Sequence, residues 1–171
     1  NDEINIYFNS STFTNGSITY LSQKYDDVLL KFDVYNDDLI LKPTGNSENS
    51  GVVVIKPNVE NFTIENTKFI NIDKLNITKT STSGYLEENF SNLSFSFLIK
   101  HSKSRKKTII NGELFDLFGD FKTFFVLKNN ELLKINSKSS VTKIFPENKK
   151  IITEYNKENK DVKKRDKVRF Y

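Results

Sequence analysis

Asp27-Val28-Leu29-Leu30-Lys31-Phe32-Asp33-Val34-Tyr35-Asn36-Asp37-Asp38-Leu39-Ile40-Leu41 decides the fold class of this chain. Val28, Leu30, Phe32 and Val34 recur at every second position, with Lys31 and Asp33 between them. That is the period of a strand buried on one face. Asn36-Asp37-Asp38 has turn chemistry, and Leu39-Ile40-Leu41 runs back, so residues 27–42 read as a β-hairpin.

The same reading extends in both directions. Upstream, Ile4, Ile6 and Phe8 alternate as in a half-buried strand, and Asn15-Gly16 is a strong turn signal. Downstream, Pro43 to Gly51 reads as a loop. The β-branched run Val52-Val53-Val54-Ile55 suits a central strand buried on both faces, ended by Pro57. Phe62 and Ile64, then Phe69, Ile70 and Ile72, predict two short strands around Asn66. The Ser/Thr stretch 78–84 is the best internal boundary. Leu93, Phe95, Phe97 and Ile99 alternate in a further hairpin from Tyr85 to Lys100, turning at Ser91-Asn92. His101 to Lys107 reads as an exposed turn or edge. Asn111-Gly112 turns the chain into Leu114 to Phe118, and Asn129-Asn130 closes a third hairpin between Phe121–Leu127 and Leu132–Ile135.

The character changes at Ser137. Ser139 or Ser140 is the expected cap of a short helix, and Pro146 the start of a second one. Ile144, Phe145, Ile151, Ile152 and Tyr155 are expected to be buried against the sheet, while Val162, Asp166, Arg169 and Phe170 mark a possible third helix or a frayed tail. The expected fold is therefore α+β: a mostly antiparallel β body over 1–136 and a C-terminal segment of two or three helices over 137–171 packed on it.

Composition bounds the function. The 171 residues include no Met, Cys or Trp and a single His, against 15 Phe and 7 Tyr. Aromatics at 13% exclude a purely polar, disordered chain, and the length supports a core without staples. Thiol chemistry and thiolate or polyhistidine metal sites are excluded by count. There is no glycine-rich phosphate loop and no Gly-x-Ser-x-Gly elbow. The acidic pairs Asp26-Asp27, Asp37-Asp38 and Glu87-Glu88 lack the spacing of a calcium loop. No apolar run is long enough to cross a membrane as a helix. Six Asn-x-Ser/Thr matches follow from the Asn-, Ser- and Thr-rich composition. The missing Met, even at position 1, reads as the mark of a removed signal peptide and hence of export.

Charge is split along the chain: residues 1–90 carry −6 and residues 91–171 carry +10. The split suits attraction between the halves, or an anionic partner for the second half. Lys103, Arg105, Lys106 and Lys107, with Lys163, Lys164 and Arg165, are the candidate anion-binding residues. Nucleic acid is disfavoured because Asp161 and Asp166 dilute the last basic run. His101 sits among these cations and lacks the oriented, pocketed setting a general base needs, so a solvated surface position is expected.

Two stretches carry a resemblance. Lys24 to Leu39 (KYDDVLLKFDVYNDDL) and Leu132 to Lys150 (LLKINSKSSVTKIFPENKK) resemble segments of small, uncharacterised exported proteins of Bacteroidota, especially flavobacteria. The order is similar too: β-rich body, Tyr/Phe-rich hairpin, charged helical end. Residues 100–119 have no clear counterpart. The resemblance implies a signal peptide and a periplasmic or surface location, with no catalytic residues and no cofactor to carry over. It raises the idea of a small accessory subunit of an outer-membrane complex. The expected function is that of a non-enzymatic accessory protein which binds another envelope component, with exposed strand edges as docking sites. The alternative is a module that binds an anionic glycan or lipid surface through the basic C-terminal half.

Overall fold

The computed structural model describes residues 6–45 and 50–159, with Ile110 described in its backbone alone. Ten strands form one antiparallel sheet: β1 (Thr14–Tyr20), β2 (Gln23–Asp33), β3 (Asp38–Leu41), β4 (Val52–Val53), β5 (Val59–Ile64), β6 (Thr67–Asn71), β7 (Tyr85–Ser91), β8 (Ser96–Ile110), β9 (Glu113–Lys128) and β10 (Glu131–Ile135). Their order is β10-β9-β8-β7-β6-β5-β1-β2-β3-β4. Helices α1 (Lys138–Ile144) and α2 (Lys149–Glu158) follow. The mostly antiparallel body and helical C-terminus agree with the expected class. The segment of the possible third helix lies outside the described residues. The sheet runs without a break across residues 78–84, so no boundary falls there.

The sheet must curl. At about 4.8 Å per strand, β2 and β8 would lie about 24 Å apart in a flat sheet. Yet Asp37, in the turn after β2, meets Lys100 of β8 at 2.7 Å. Its carboxylate also holds Lys56 at 3.2 Å and accepts from the Tyr85 amide at 3.4 Å. Curling brings Phe32 of β2 against Phe62, Phe69 and Tyr85 at ring distances of 5.1–5.7 Å, while Phe62 and Phe69 stack at 4.9 Å. With Leu30, Leu39, Val59 and Ile64 these rings form the main core. Asn71 is buried there with its amide satisfied, donating to the carbonyls of Lys56 and Val59 and accepting from the Asp73 amide. Burial, and next the charges of Asp37, Asp38 and Asp73, push the Tyr85 hydroxyl pKa up.

The opposite face of the sheet is covered by the segment after β6. Ile72, Leu86, Leu98, Phe125 and Leu132 cluster there, and Thr78 and Lys79 bond the backbone beside β10.

Several local expectations are corrected. Asn15-Gly16 makes no turn; it lies inside β1, where a Cβ on Gly16 would run into the Thr63 carbonyl. The turn falls at Leu21-Ser22, both at positive φ (50° and 64°) as a two-residue type I′ hairpin requires. The β-branched run does not enter the middle of the sheet. Val52 and Val53 form the short edge strand β4 and are each 55% exposed. Residues 6–8 form no strand; Tyr7 makes an isolated bridge to Asp33, and Ile4 lies outside the described residues. Leu93 does not join its alternating neighbours but stands in solvent.

The helical end also differs in detail. Ser137, two or three residues earlier than expected, caps α1 by accepting from the Ser140 amide at 3.3 Å. Pro146 starts a single 3₁₀ turn that separates the helices. Val141, Ile144 and Phe145 pack on Phe97, Ile99, Phe124, Val126 and Ile135. Ile151 and Tyr155 are not buried: they are 65% and 42% exposed. The apolar cluster beneath is covered by α1 and Phe145, and of the ten residues of α2 only Asn156 is buried.

Candidate interaction surface

The Asn111-Gly112 turn places β8 and β9 in register from Ser96–Leu127 to Ile110–Glu113. Asn111 and Gly112 sit at φ 52° and 85°, which is why this pair is so suited to the turn. β7 pairs only with Ser96–Ile99, and β10 only with Phe124–Lys128. From Lys100 and Thr123 outward the two strands pair with each other alone among the described residues. They make a ribbon of eleven residue pairs, roughly 35 Å long at strand rise.

Its root is anchored by polar contacts. His101 Nε2 lies 2.5 Å from Glu87 Oε2, and the imidazole ring meets Phe8 edge-on at 5.0 Å. The side chains of His101 and Glu87 are 11% and 15% exposed, which overturns the expected solvated position. The nearest cations in sequence have carboxylate partners of their own, Lys100 with Asp37 and Lys103 with Asp120, while β7 and the N-terminal segment supply His101 with a carboxylate and a ring. Burial works to raise the Glu87 pKa, but hydrogen bonds from His101 and Asn89 and the charges of His101 and Lys122 outweigh it, and the net direction is down. The pair lines a cleft of about 380 Å³ with Asn9, Lys103, Asp120 and Lys122. Phe118 meets Tyr35 edge-on at 5.5 Å and ties the ribbon to the turn after β2.

The four basic candidates that are described do not converge on one free site. Lys103, Arg105 and Lys107 share one face of β8, and β9 faces them with Asp116 and Asp120. Lys103 lies 2.9 Å from Asp120, with its side chain only 7% exposed. Arg105 lies 2.6 Å from Asp116, and its hydrogen bond is the main reason that carboxyl is held below its usual range. Lys107 stands opposite Asp116. Lys106 is exposed on the other face, opposite Leu117. Lys163, Lys164 and Arg165 lie outside the described residues. No group of three or more His, Asp or Glu able to hold a metal ion occurs among the described residues.

The outer face of the ribbon was not anticipated. Phe115, Leu117 and Phe121 of β9 project there at 41%, 50% and 56% exposure. Ile109 and Leu114 near the tip are 71% and 65% exposed. Leu114 to Phe118 alternates apolar and acidic residues only partially, so the pattern shows a strand but not that its apolar side lacks cover. Two further apolar surfaces open elsewhere. One lies beside β4 and is lined by Tyr20, Tyr25, Leu41, Val52 and Val53. The other lies between α2 and the sheet.

The fold and these surfaces define a single-sheet β protein that carries a protruding two-stranded arm. No family model matches the chain, and no curated protein or solved structure matches it. No helix among the described residues is long and apolar enough to cross a membrane.

Proposed function

We propose that this chain is a non-enzymatic accessory protein of the cell envelope that docks an extended segment of another envelope protein onto its ribbon. The observation that supports this most is the free edge of β9. From Glu113 to Thr123 its outer edge has no strand beside it among the described residues, and its outer face presents Phe115, Leu117 and Phe121. An added strand gains main-chain hydrogen bonds along that edge and places alternate apolar side chains beside those residues. The edge of β8 is a poorer template. Arg105, Lys106 and Lys107 are exposed beside it, and charged side chains are the usual protection against strand addition. The envelope location is supported by the resemblance of Lys24 to Leu39 and Leu132 to Lys150.

The test is cross-linking in native membranes with a photoreactive side chain at position 121. The expected result is one dominant adduct whose linked peptide is extended and apolar on alternate residues. It disappears when Phe115→Ser and Leu117→Ser are combined. An adduct that survives those changes, or turnover of a small molecule by the purified chain, overturns the reading. An adduct between two copies of this chain does so as well.

A further inference from the structure

The cleft at the root of the ribbon differs in kind from the apolar surfaces beside β4 and α2. It holds about 380 Å³ between the N-terminal segment, β7 and the ribbon, and both charged groups and rings line it. His101 stands opposite Lys122 in the ladder, and Lys103 stands opposite Asp120. Paired residues and every second residue share a face, so these side chains leave the ribbon on the same side. Lys103 and Lys122 are then diagonal neighbours, about 7–8 Å apart at the backbone, and their long side chains can meet on one group.

Neither ammonium is saturated. The Lys103 side chain is only 7% exposed, and its carboxylate partner among the described residues, Asp120, is 79% exposed. An ammonium carries several donors, and a buried one left short of acceptors is costly. Lys122 is exposed and has no carboxylate within ion-pair distance among the described residues, although its charge acts on Glu87. Phe8 is fixed at the cleft by edge contacts with Phe69 and His101, both at 5.0 Å, and Phe121 lines it from β9.

We propose that the cleft binds a uronate, a pyranose ring carrying a single carboxylate. Lys103 and Lys122 take the carboxylate through charge-assisted hydrogen bonds. Asn9, and the lone pairs of Asp120 that Lys103 leaves free, take ring hydroxyls. The rings of Phe8 and Phe121 cover the apolar C–H face of the sugar. Other anions fit this lining less well. A phosphate dianion would meet the Glu87 and Asp120 carboxylates in the same space. A zwitterionic amino acid needs a carboxylate for its ammonium, and both are engaged, Glu87 by His101 and Asn89 and Asp120 by Lys103. A hydroxyl adds to a lone pair without displacing the cation already there. The site lies apart from the docking edge of β9 and does not rest on it.

The experiment titrates the full chain with sodium glucuronate and sodium galacturonate at constant ionic strength while amide shifts are followed by NMR. Glucose, sodium acetate and phenylalanine are run in parallel. At least one uronate is expected to give saturable shifts at Asn9, Ser102, Lys103 and Phe121. It should bind about tenfold more tightly than glucose, which lacks the carboxylate, or acetate, which lacks the ring. Lys122→Gln, at an exposed position, should bring the uronate down to the affinity of glucose and leave amides elsewhere unmoved. Lys106→Gln removes the same charge from the other face of the ribbon and should change nothing. The proposal is overturned if acetate, glucose or phenylalanine binds as tightly as the uronates, or if neither uronate shifts these amides. An unaltered uronate affinity in Lys122→Gln overturns it as well. Phe115 and Leu117 do not line the cleft, so the Phe115→Ser and Leu117→Ser changes that break ribbon docking should leave this titration unchanged, and the two readings fail separately.

Discussion

β5–β6 and the β8–β9 ribbon are both antiparallel hairpins, yet they are held by different physics. β5 and β6 each have a strand on both sides, and Val59, Phe62, Ile64 and Phe69 are at most 2% exposed. The ribbon has a longer hydrogen-bonded ladder but, Phe118 apart, leaves its large described apolar side chains 41–71% exposed. An isolated two-stranded ribbon is marginal in water, because exchanging water hydrogen bonds for ladder bonds gains little. The body therefore lends the ribbon its stability at the root, through Glu87, Phe8 and Tyr35. An arm that costs ordering entropy and buries little has its explanation outside the fold.

The largest expected difference is in the core. Phe62→Ala, in the stacked cluster, should cost about 3–5 kcal/mol in urea denaturation. Leu117→Ala on the ribbon should stay within about 0.5 kcal/mol. Similar losses at both positions would break the comparison. Gly84→Ala comes next, because it attacks the join between the regions. Gly84 sits at φ 74°, and a Cβ there would run into the Asp37 carboxylate that holds Lys56 and Lys100. A loss of about 1–3 kcal/mol is expected from the backbone strain alone. Recovery of wild-type stability by Gly84→Ala would show that the Asp37 cluster does not tie the turn to β8.

Hydrogen exchange sharpens the contrast without any substitution. Amides of β5 and β6 should exchange only through global unfolding, whereas those from Ser102 to Thr108 and Phe115 to Phe121 should open locally and exchange faster. Equal protection would mean that the ribbon is part of the cooperative core.

Much of this architecture was readable from alternation. Val28, Leu30 and Phe32 marked β2, and the Asn111-Gly112 and Asn129-Asn130 signals found their turns. Asn15-Gly16 misled because the same smallness that permits a turn also permits the close approach of Thr63. Val52 to Ile55 misled because hydrophobicity reports burial only on average, and edge strands escape it. The cross-strand ion pairs were legible in principle. Once Asn111-Gly112 is the turn, Lys103 must face Asp120 and Lys107 must face Asp116. His101 was not legible. Its partners Glu87 and Phe8 come from other elements, and local sequence showed only the neighbouring cations.

The smallest effect distinguishes the ribbon root from its shaft by titration. Glu87 at the root has a folded pKa below its ordinary value of 4.5, because the bonds from His101 and Asn89 outweigh burial. In that window the unfolded chain binds more protons than the folded one, so stability rises with pH. The contribution is complete above the unfolded pKa and is lost as pH falls through the folded one. Glu87→Gln should therefore flatten the acid limb of the stability curve measured by urea denaturation. Because the pair is mostly buried, raised salt should not reproduce that flattening. Asp116 on the shaft is shifted in the same direction by Arg105, but in an exposed pair. Its share of the acid limb should fade as salt screens the pair, so that Asp116→Asn and the unaltered chain converge at high ionic strength. If the two acids respond to salt alike, the root is no drier than the shaft, and Glu87 cannot be what anchors the arm.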